Sequence, residues 1–256
     1  MNERDSGKEV DLAPTQVEDE LTIPKTLIVV PTYNEKDNLP KLLEILMGFP
    51  GALHVLVVDD GSPDGTGDIA QAWSEKTPRV HLIRRSGKLG LGTAYVAGFR
   101  WALARDYERI FEMDADFSHD PKYVPAMLEK TEEADLVVGS RYLTGVNVVN
   151  WPMSRLLLSW CANKYAKFVS GLPITDCTAG LKVFRRETLA AIDLDNIAAS
   201  GYGFQIELHY KVWKKGFKLA EVPIVFVDRA AGVSKMSGKI IREAFLLVVR
   251  LRLGRL

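Results

Sequence analysis

The stretch of sequence that decides the fold is IFEMDADFSHD, at residues 110–120. Residues 109–113 are largely apolar and strand-like, and two carboxylates follow at a spacing of two, Asp114 and Asp116. Residues i and i+2 of an extended segment point to the same side, so these carboxylates can converge on one centre. Two hard oxygen ligands suit Mg²⁺ or Mn²⁺ better than Zn²⁺. Because Asp is also common in turns, a solvated turn after a strand is the alternative interpretation.

The sequence on both sides of this stretch alternates between strand and helix patterns, which predicts an α/β fold with a mostly parallel sheet and helices on both faces. Pro31 is expected to end the first strand, and Pro223 to place the strand at 219–227 on a sheet edge. The buried strands are predicted from apolar runs at residues 26–30, 54–58, 80–83, 109–113 and 135–139.

Polar loops follow four of these strands. In open parallel sheets, ligands bind outside the carboxyl ends of the strands, so these loops should meet at one edge. Their convergence favours a metal site at Asp114 and Asp116 over a simple turn. The loops are residues 31–35, 59–66, 114–120 and 140–141. A metal facing basic loops suits a diphosphate, and the basic candidates on loops are Lys88, Arg229 and Lys235.

Composition limits the function classes. The chain has 256 residues, 47% hydrophobic and 26% charged, which is ordinary for a soluble globular protein. Residues 1–23 are polar and acidic and are expected to form a disordered tail. Two cysteines fit a reducing cytosol, and no signal peptide or membrane span is expected. No P-loop or dinucleotide-binding glycine motif is present, and no nucleic-acid partner is expected.

The second half of the chain has a different character. We expect the catalytic domain to cover residues 24–235, including a helix near 152–169 that is rich in large apolar residues. A basic amphipathic helix is expected at 236–256. Both helices have the composition of segments that lie in a membrane interface with cations at anionic headgroups. The alternative is that both are core helices.

Several motifs resemble the inverting family 2 glycosyltransferases with the GT-A fold: VVPTYNE at 29–35, VVDDGSPDGT at 57–66 and the Asp-Ala-Asp run at 114–116. The later motifs resemble the polyprenol (dolichol) phosphate mannose synthases, most like actinobacterial members. These later motifs are GSRY at 139–142, NWP at 150–152, TDCTAG at 175–180, YGFQIE at 202–207 and GVSKMS at 232–237.

The resemblance implies transfer of mannose from GDP-mannose to a polyprenyl (dolichyl-type) monophosphate with inversion, giving the β-mannosyl phosphate and GDP. It implies an enzyme held peripherally on the cytoplasmic face of the membrane, with a separate membrane-anchoring protein as a candidate partner. Donor binding is implied for Pro31, Tyr33, Glu35, Val58, Asp60, Lys88, Asp114, Ala115, Asp116, Arg229 and Lys235, with Mg²⁺ or Mn²⁺ on Asp114 and Asp116. Acceptor-phosphate binding is implied for Arg141, Arg155 and Ser159. The catalytic residues are expected to be Asp116, Arg141, Arg229 and Lys235.

Three questions stay open at this level. Relatives often carry Gln as a metal ligand where this chain has Ser118. A phosphomonoester is already largely anionic at pH 7, so no catalytic base is predicted, and Asp176 is expected to orient an arginine or the sugar. The alternative functions are transfer of glucose or another hexose to the same lipid, or a non-catalytic nucleotide-sugar-binding subunit. A nucleotidyltransferase is disfavoured because its glycine-rich signature is missing.

Overall fold

A computed structural model describes residues 23–197, 201–227 and 238–254, with the backbone alone for residue 202 and residues 238–244. The expected acidic tail therefore lies almost entirely outside the described residues. The strands are β1 (Thr26–Thr32), β2 (Leu53–Asp59), β3 (Val80–Arg84), β4 (Arg109–Glu112), β5 (Leu136–Ser140), β6 (Val148–Val149), β7 (Lys182–Arg185), β8 (Leu219–Pro223) and β9 (Phe226–Val227). Seven of them form one sheet in the order β3-β2-β1-β4-β7-β5-β8, and β6 pairs with β9.

Helices cover both faces of this sheet, as predicted. They are α1 (Leu39–Met47), α2 (Thr66–Lys76), α3 (Leu91–Leu103), α4 (Val124–Lys130), α5 (Met153–Ser170), α6 (Arg186–Ala190), α7 (Tyr202–Lys214) and α8 (Gly238–Arg252), with a 3₁₀ turn at Pro121–Tyr123. Side chains of α1, α2 and α4 share one buried cluster with Ile28 and Val30 of β1. Side chains of α3, α5, α6, α7 and α8 share the other with Leu27 and Val29. Successive side chains of β1 therefore pack into the two hydrophobic cores on opposite faces of the sheet.

Close packing of α3 on the sheet depends on one glycine. A β-carbon at Gly98 would collide with the side chain of Val29 on β1. The missing side chain lets the helix approach the central strand, and Tyr95 in the second turn of α3 reaches Asp114 just after β4. That position becomes important for the site described below.

One local prediction about the strands is wrong, and one strand runs against the others in the mostly parallel sheet. Pro31 does not end β1, which continues to Thr32 in register with Asp59 of β2. Alternate residues of a strand direct their backbone groups to alternate neighbouring strands. Val29 faces β4, where its carbonyl accepts from the Met113 N–H, so Pro31 faces the same side. Because β4 ends at Glu112, the missing N–H of Pro31 leaves no hydrogen bond of the sheet unmade. Strand β7 is antiparallel to both β4 and β5, so the sheet is mixed at this point.

The edge prediction for the strand that contains Pro223 is confirmed, since β8 is the last strand and Pro223 its last residue. The basic C-terminal segment forms α8, which packs beside α5 and α7. Among the described residues, no helix combines the length and hydropathy needed to cross a bilayer.

Candidate active site

The carboxylate pair lies where the chain leaves β4. Asp114 and Asp116 are half-buried, and the side chain of Ala115 between them is buried. The buried Tyr95 hydroxyl donates to Asp114 Oδ1 at 2.9 Å. The Ser118 N–H donates to Asp116 Oδ1 at 3.1 Å, closing a tight turn around Phe117, which has a φ of 58°. Both carboxylates are therefore held in place by the protein before any ligand binds.

The two carboxylates influence the same two neighbouring side chains. Burial raises the pKa of Tyr95 well above its usual value, and Asp114 and Asp116 both add to that shift. Burial lowers the pKa of His119, and the same two carboxylates oppose that change. His119 Nδ1 accepts from the Asp114 N–H at 3.3 Å. That nitrogen is therefore not available as a metal ligand in this arrangement.

The donor set fits a hard divalent cation that takes its remaining ligands from elsewhere. Within the described parts of the chain, no three His, Cys, Asp or Glu side chains group into a metal cage. Mg²⁺ and Mn²⁺ sites that serve phosphates commonly use one or two carboxylates, with water and phosphate oxygens completing the shell. Ser118 is buried, with 3% of its surface exposed. The pair therefore forms a partial site, suited to a cation that arrives with a phosphorylated ligand.

A buried charged cluster lies directly beneath the pair. Glu112 and Lys182 face each other across the β4–β7 register, with Lys182 Nζ 3.4 Å from Glu112 Oε2. Gln205 of α7 donates to Glu112 Oε2 at 3.0 Å and accepts from Lys182. Burial raises the pKa of Glu112 to about 7, although Lys182 opposes the shift. The sequence analysis missed this cluster, although Glu112, a charged residue inside a predicted buried strand, was a visible signal.

A second carboxylate centre lies at the end of β2. Asp60 is 5% exposed and forms an ion pair with Arg85 at 2.7 Å. Its Oδ2 also accepts from the backbone N–H groups of Leu89 and Gly90, at 3.0 and 3.2 Å. Asp60 therefore fixes the loop that leads into α3. Arg85 was not predicted from the sequence, because nothing in its spacing distinguishes it from a surface arginine.

The remaining expected donor-binding residues divide into two groups. Lys88 and Tyr33 meet, with Lys88 Nζ 4.1 Å from the centre of the Tyr33 ring. Pro31 near the end of β1, and Tyr33 and Glu35 just after it, are partly exposed, so a ligand could reach them. Val58 and Ala115 are buried in the core, at 0% and 3% exposure, so direct side-chain contact with a ligand is excluded in this arrangement. Only their backbone groups could contribute.

Arg141 is held rigidly at the end of β5. Its Nε and NH2 groups donate to the two carboxylate oxygens of Asp176, both at 2.7 Å, and NH2 also donates to Thr178 at 2.8 Å. Arg141 and Asp176 are 5% and 0% exposed. The guanidinium carbon lies 5.4 Å from the Tyr142 ring centre and 5.6 Å from the ring centres of Trp151 and Phe226. Asp176 thus orients Arg141. This agrees with the expectation that Asp176 orients either an arginine or the sugar.

The other expected acceptor residues lie on the first turns of α5. The Arg155 guanidinium stacks over the Trp151 ring at 4.2 Å. The Ser159 hydroxyl accepts from Tyr142 at 2.8 Å. The Trp151 ring thus links Arg155 to Arg141, since both guanidinium groups lie against it. Arg229 and Lys235 lie outside the described residues.

Comparisons with known proteins show the family of the chain. The glycosyl transferase family 2 model matches residues 27–192. An undecaprenyl-phosphate mannosyltransferase of Micrococcus luteus is 49% identical over 88% of this chain and 93% of its own length. A polyprenol monophosphomannose synthase of Mycolicibacterium smegmatis is 47% identical, over 99% of this chain and 96% of its own length.

The fold also matches solved structures at low identity. A glucosyl-3-phosphoglycerate synthase from Mycobacterium tuberculosis superposes with a TM-score of 0.62 at 18% identity, over 91% of this chain and 80% of that one. This similarity supports the sheet and helix arrangement alone. Since the family model covers more than half of the chain and two relatives are nearly half identical along almost all of it, the chain belongs to the family 2 glycosyltransferases.

Proposed function

We propose that this protein transfers mannose from GDP-mannose to a polyprenyl monophosphate with inversion, giving polyprenyl phosphate β-mannose and GDP. The single observation that carries the proposal is the environment of His119. Its Nδ1 accepts from the Asp114 N–H at 3.3 Å, and its ring centre lies 5.8 Å from that of Phe226, whose ring centre is 5.6 Å from the Arg141 guanidinium. A paired carboxylate site and a rigid arginine therefore share one small region. That arrangement suits a reaction between two phosphorylated substrates, one of which leaves while the other attacks.

The chemistry follows from the charges of the groups. An oxygen of the acceptor phosphate attacks C1 of mannose, and the bond from C1 to the GDP oxygen breaks, with its electron pair leaving on GDP. No proton has to move, because the second pKa of a phosphomonoester is about 6. Both oxygens of Asp176 already accept from Arg141, which leaves Asp176 poorly placed to act as a base. Arg141, with Arg155 beside it, would hold the acceptor phosphate.

The leaving group needs positive charge. Asp114 and Asp116 would hold Mg²⁺ or Mn²⁺, which supplies that charge to the departing diphosphate. Arg229 and Lys235 are proposed to contact the same diphosphate. Lys88 and Tyr33, which contact each other, lie on the loops that would receive the guanosine. Asp60 would act there by holding the loop before α3 through Arg85 and two backbone groups.

An assay with competing donors tests this proposal. The purified chain is incubated with polyprenyl phosphate, Mg²⁺ or Mn²⁺, and labelled GDP-mannose, GDP-glucose or UDP-glucose in separate reactions. We expect lipid-extractable label from GDP-mannose alone, with a β linkage in the product by NMR. Label from a glucose donor would instead indicate a different hexosyltransferase, and an α linkage would exclude inversion. No lipid product from any donor would favour the non-catalytic subunit.

Access to a lipid acceptor is supported by an exposed apolar surface. Met153, Leu157, Trp160 and Phe168 form one stripe along α5, exposed by 75%, 58%, 43% and 88%. The stripe continues onto α8, where Phe245 is 50% exposed and stacks on Tyr165 with ring centres 4.4 Å apart. Isolated apolar residues are common on surfaces, but contiguous patches mark interaction sites. We propose that this α5–α8 surface lies on the cytoplasmic face of an anionic membrane, alone or with an anchoring protein.

Flotation with liposomes checks this contact. Replacing Leu157 and Phe168 together by glutamate is expected to reduce the fraction bound to anionic vesicles containing polyprenyl phosphate at least about tenfold, because each buried large apolar side chain contributes roughly 1.5–3 kcal/mol. Ile45→Glu is the matched control, since Ile45 is 46% exposed on α1, at the opposite face of the sheet. Failure of the unmodified protein to float, or equal loss in the control, would exclude the α5–α8 surface.

A further inference from the structure

We propose that Tyr95 is a positioning residue for the divalent cation, a role that rests on the proposed function of the carboxylate pair. The Tyr95 hydroxyl donates to Asp114 Oδ1 at 2.9 Å. Asp114 retains 32% of its side-chain surface, whereas Tyr95 is fully buried. The exposed carboxylate is thus fixed from behind by a residue that no ligand can contact directly. Asp114 Oδ2, 3.9 Å from His119 Nδ1, is then the oxygen presented to a cation.

The Tyr95 ring has little freedom to move. It stacks on Phe99 and on Phe204, in each case with ring centres 6.1 Å apart, and the Phe204 ring is inclined to it by only 9°. Phe204 is itself confined, because a β-carbon at Gly92 would lie 2.8 Å from its ring. Helices α3 and α7 therefore hold the phenol between them, and the hydroxyl position is set by the core.

The Tyr95 hydrogen bond restrains the rotation of the Asp114 carboxylate. Its neighbour Asp116 is already held by the Ser118 N–H, so Tyr95 supplies the equivalent restraint for the other half of the pair. A restrained carboxylate loses less side-chain freedom when it binds a cation, and it presents one defined oxygen. Tyr95 should consequently strengthen cation binding without contacting the cation or either substrate.

The test is the Tyr95→Phe substitution, which keeps the ring and removes the hydroxyl. We expect Mn²⁺ to bind about tenfold more weakly in the presence of GDP, measured by electron paramagnetic resonance, because hydrogen bonds to charged groups are among the stronger ones in proteins. GDP binding without metal and the thermal midpoint should stay close to those of the unmodified protein. The activity of the variant should recover when the Mn²⁺ concentration is raised.

Tyr107→Phe is the matched control. Tyr107 is also buried, and its hydroxyl lies 3.1 Å from His54 and 3.2 Å from His81. It precedes β4, so it lies at the opposite end of that strand from Asp114. Unchanged Mn²⁺ binding in folded Tyr95→Phe, or equal weakening in Tyr107→Phe, would overturn the positioning role. If the unmodified protein fails to bind Mn²⁺ with GDP, the proposed metal function fails as well, so the two failures are distinguishable.

Discussion

Replacing Asp116 by asparagine is expected to reduce mannosyl transfer on the order of 10³-fold, because the leaving diphosphate loses a cation that contributes several kcal/mol to the transition state. The fold should survive. Asparagine keeps an oxygen that can accept the Ser118 N–H, which now donates to Asp116 Oδ1 at 3.1 Å. The turn around Phe117 is therefore preserved, and the charge alone is removed. Initial rates at several Mn²⁺ concentrations, with GDP binding measured separately without metal, check this expectation.

A neighbouring carboxylate provides the control for this substitution. Asp120 Oδ1 accepts the Lys122 N–H at 3.0 Å, which repeats the Asp116 turn geometry four residues later. Its side chain is 44% exposed and pairs with Lys122. Asp120→Asn should change the transfer rate less than about threefold, as expected for a surface ion pair. Equal activity of Asp116→Asn and Asp120→Asn would remove Asp116 from the metal site.

The parallel part of the sheet was predictable because its strands are short, continuous and apolar. The runs at 26–30 and 54–58 are buried on both faces, which is the pattern that parallel strands require. The direction of β7 was not predictable from a pattern of this kind. The apolar residues of β7 show that the strand is buried but not which way it runs. The long connection from β5 to β7, which contains the whole of α5, is compatible with either direction. The pairing of Glu112 with Lys182 depends on that direction and could not be foreseen either.

A site residue was predictable where it is charged and stands next to a buried, apolar segment. Asp114, Asp116 and Arg141 follow buried strands, where a charged residue needs a reason to be present. Tyr95 gives no such signal, since a tyrosine on the apolar side of a helix resembles any core residue. Its role depends on a hydrogen bond to a carboxylate 19 positions away. Val58 shows the opposite case, because the motif that contains it points to the nucleotide while its side chain is buried in the core, which leaves its backbone groups for any contact.

Replacing Asp176 by asparagine is expected to lower kcat/KM for polyprenyl phosphate on the order of 10²-fold, since a misplaced positioning group costs about that much. Two charge-assisted hydrogen bonds, both 2.7 Å long, hold the Arg141 guanidinium against this carboxylate. Removing the charge breaks a buried ion pair, which is destabilising. Thermal melting must therefore accompany the kinetics. Thr178→Val removes the 2.8 Å hydrogen bond from Arg141 NH2, and with it the hydroxyl's bonds to Asn163 and Asp176, but it leaves the carboxylate in place and should have a smaller effect in the same direction.

The same substitution distinguishes a positioning carboxylate from a catalytic base. A base acts on the bound acceptor, so its loss would abolish kcat while donor and acceptor still bind normally. A positioning role predicts instead that KM for the acceptor rises, that KM for the donor is unchanged, and that part of kcat returns at saturating acceptor. The pH profile should follow the second ionisation of the acceptor phosphate, at about 6, with or without Asp176. Because Asp176 is 0% exposed and both of its oxygens bind Arg141, the geometry favours positioning.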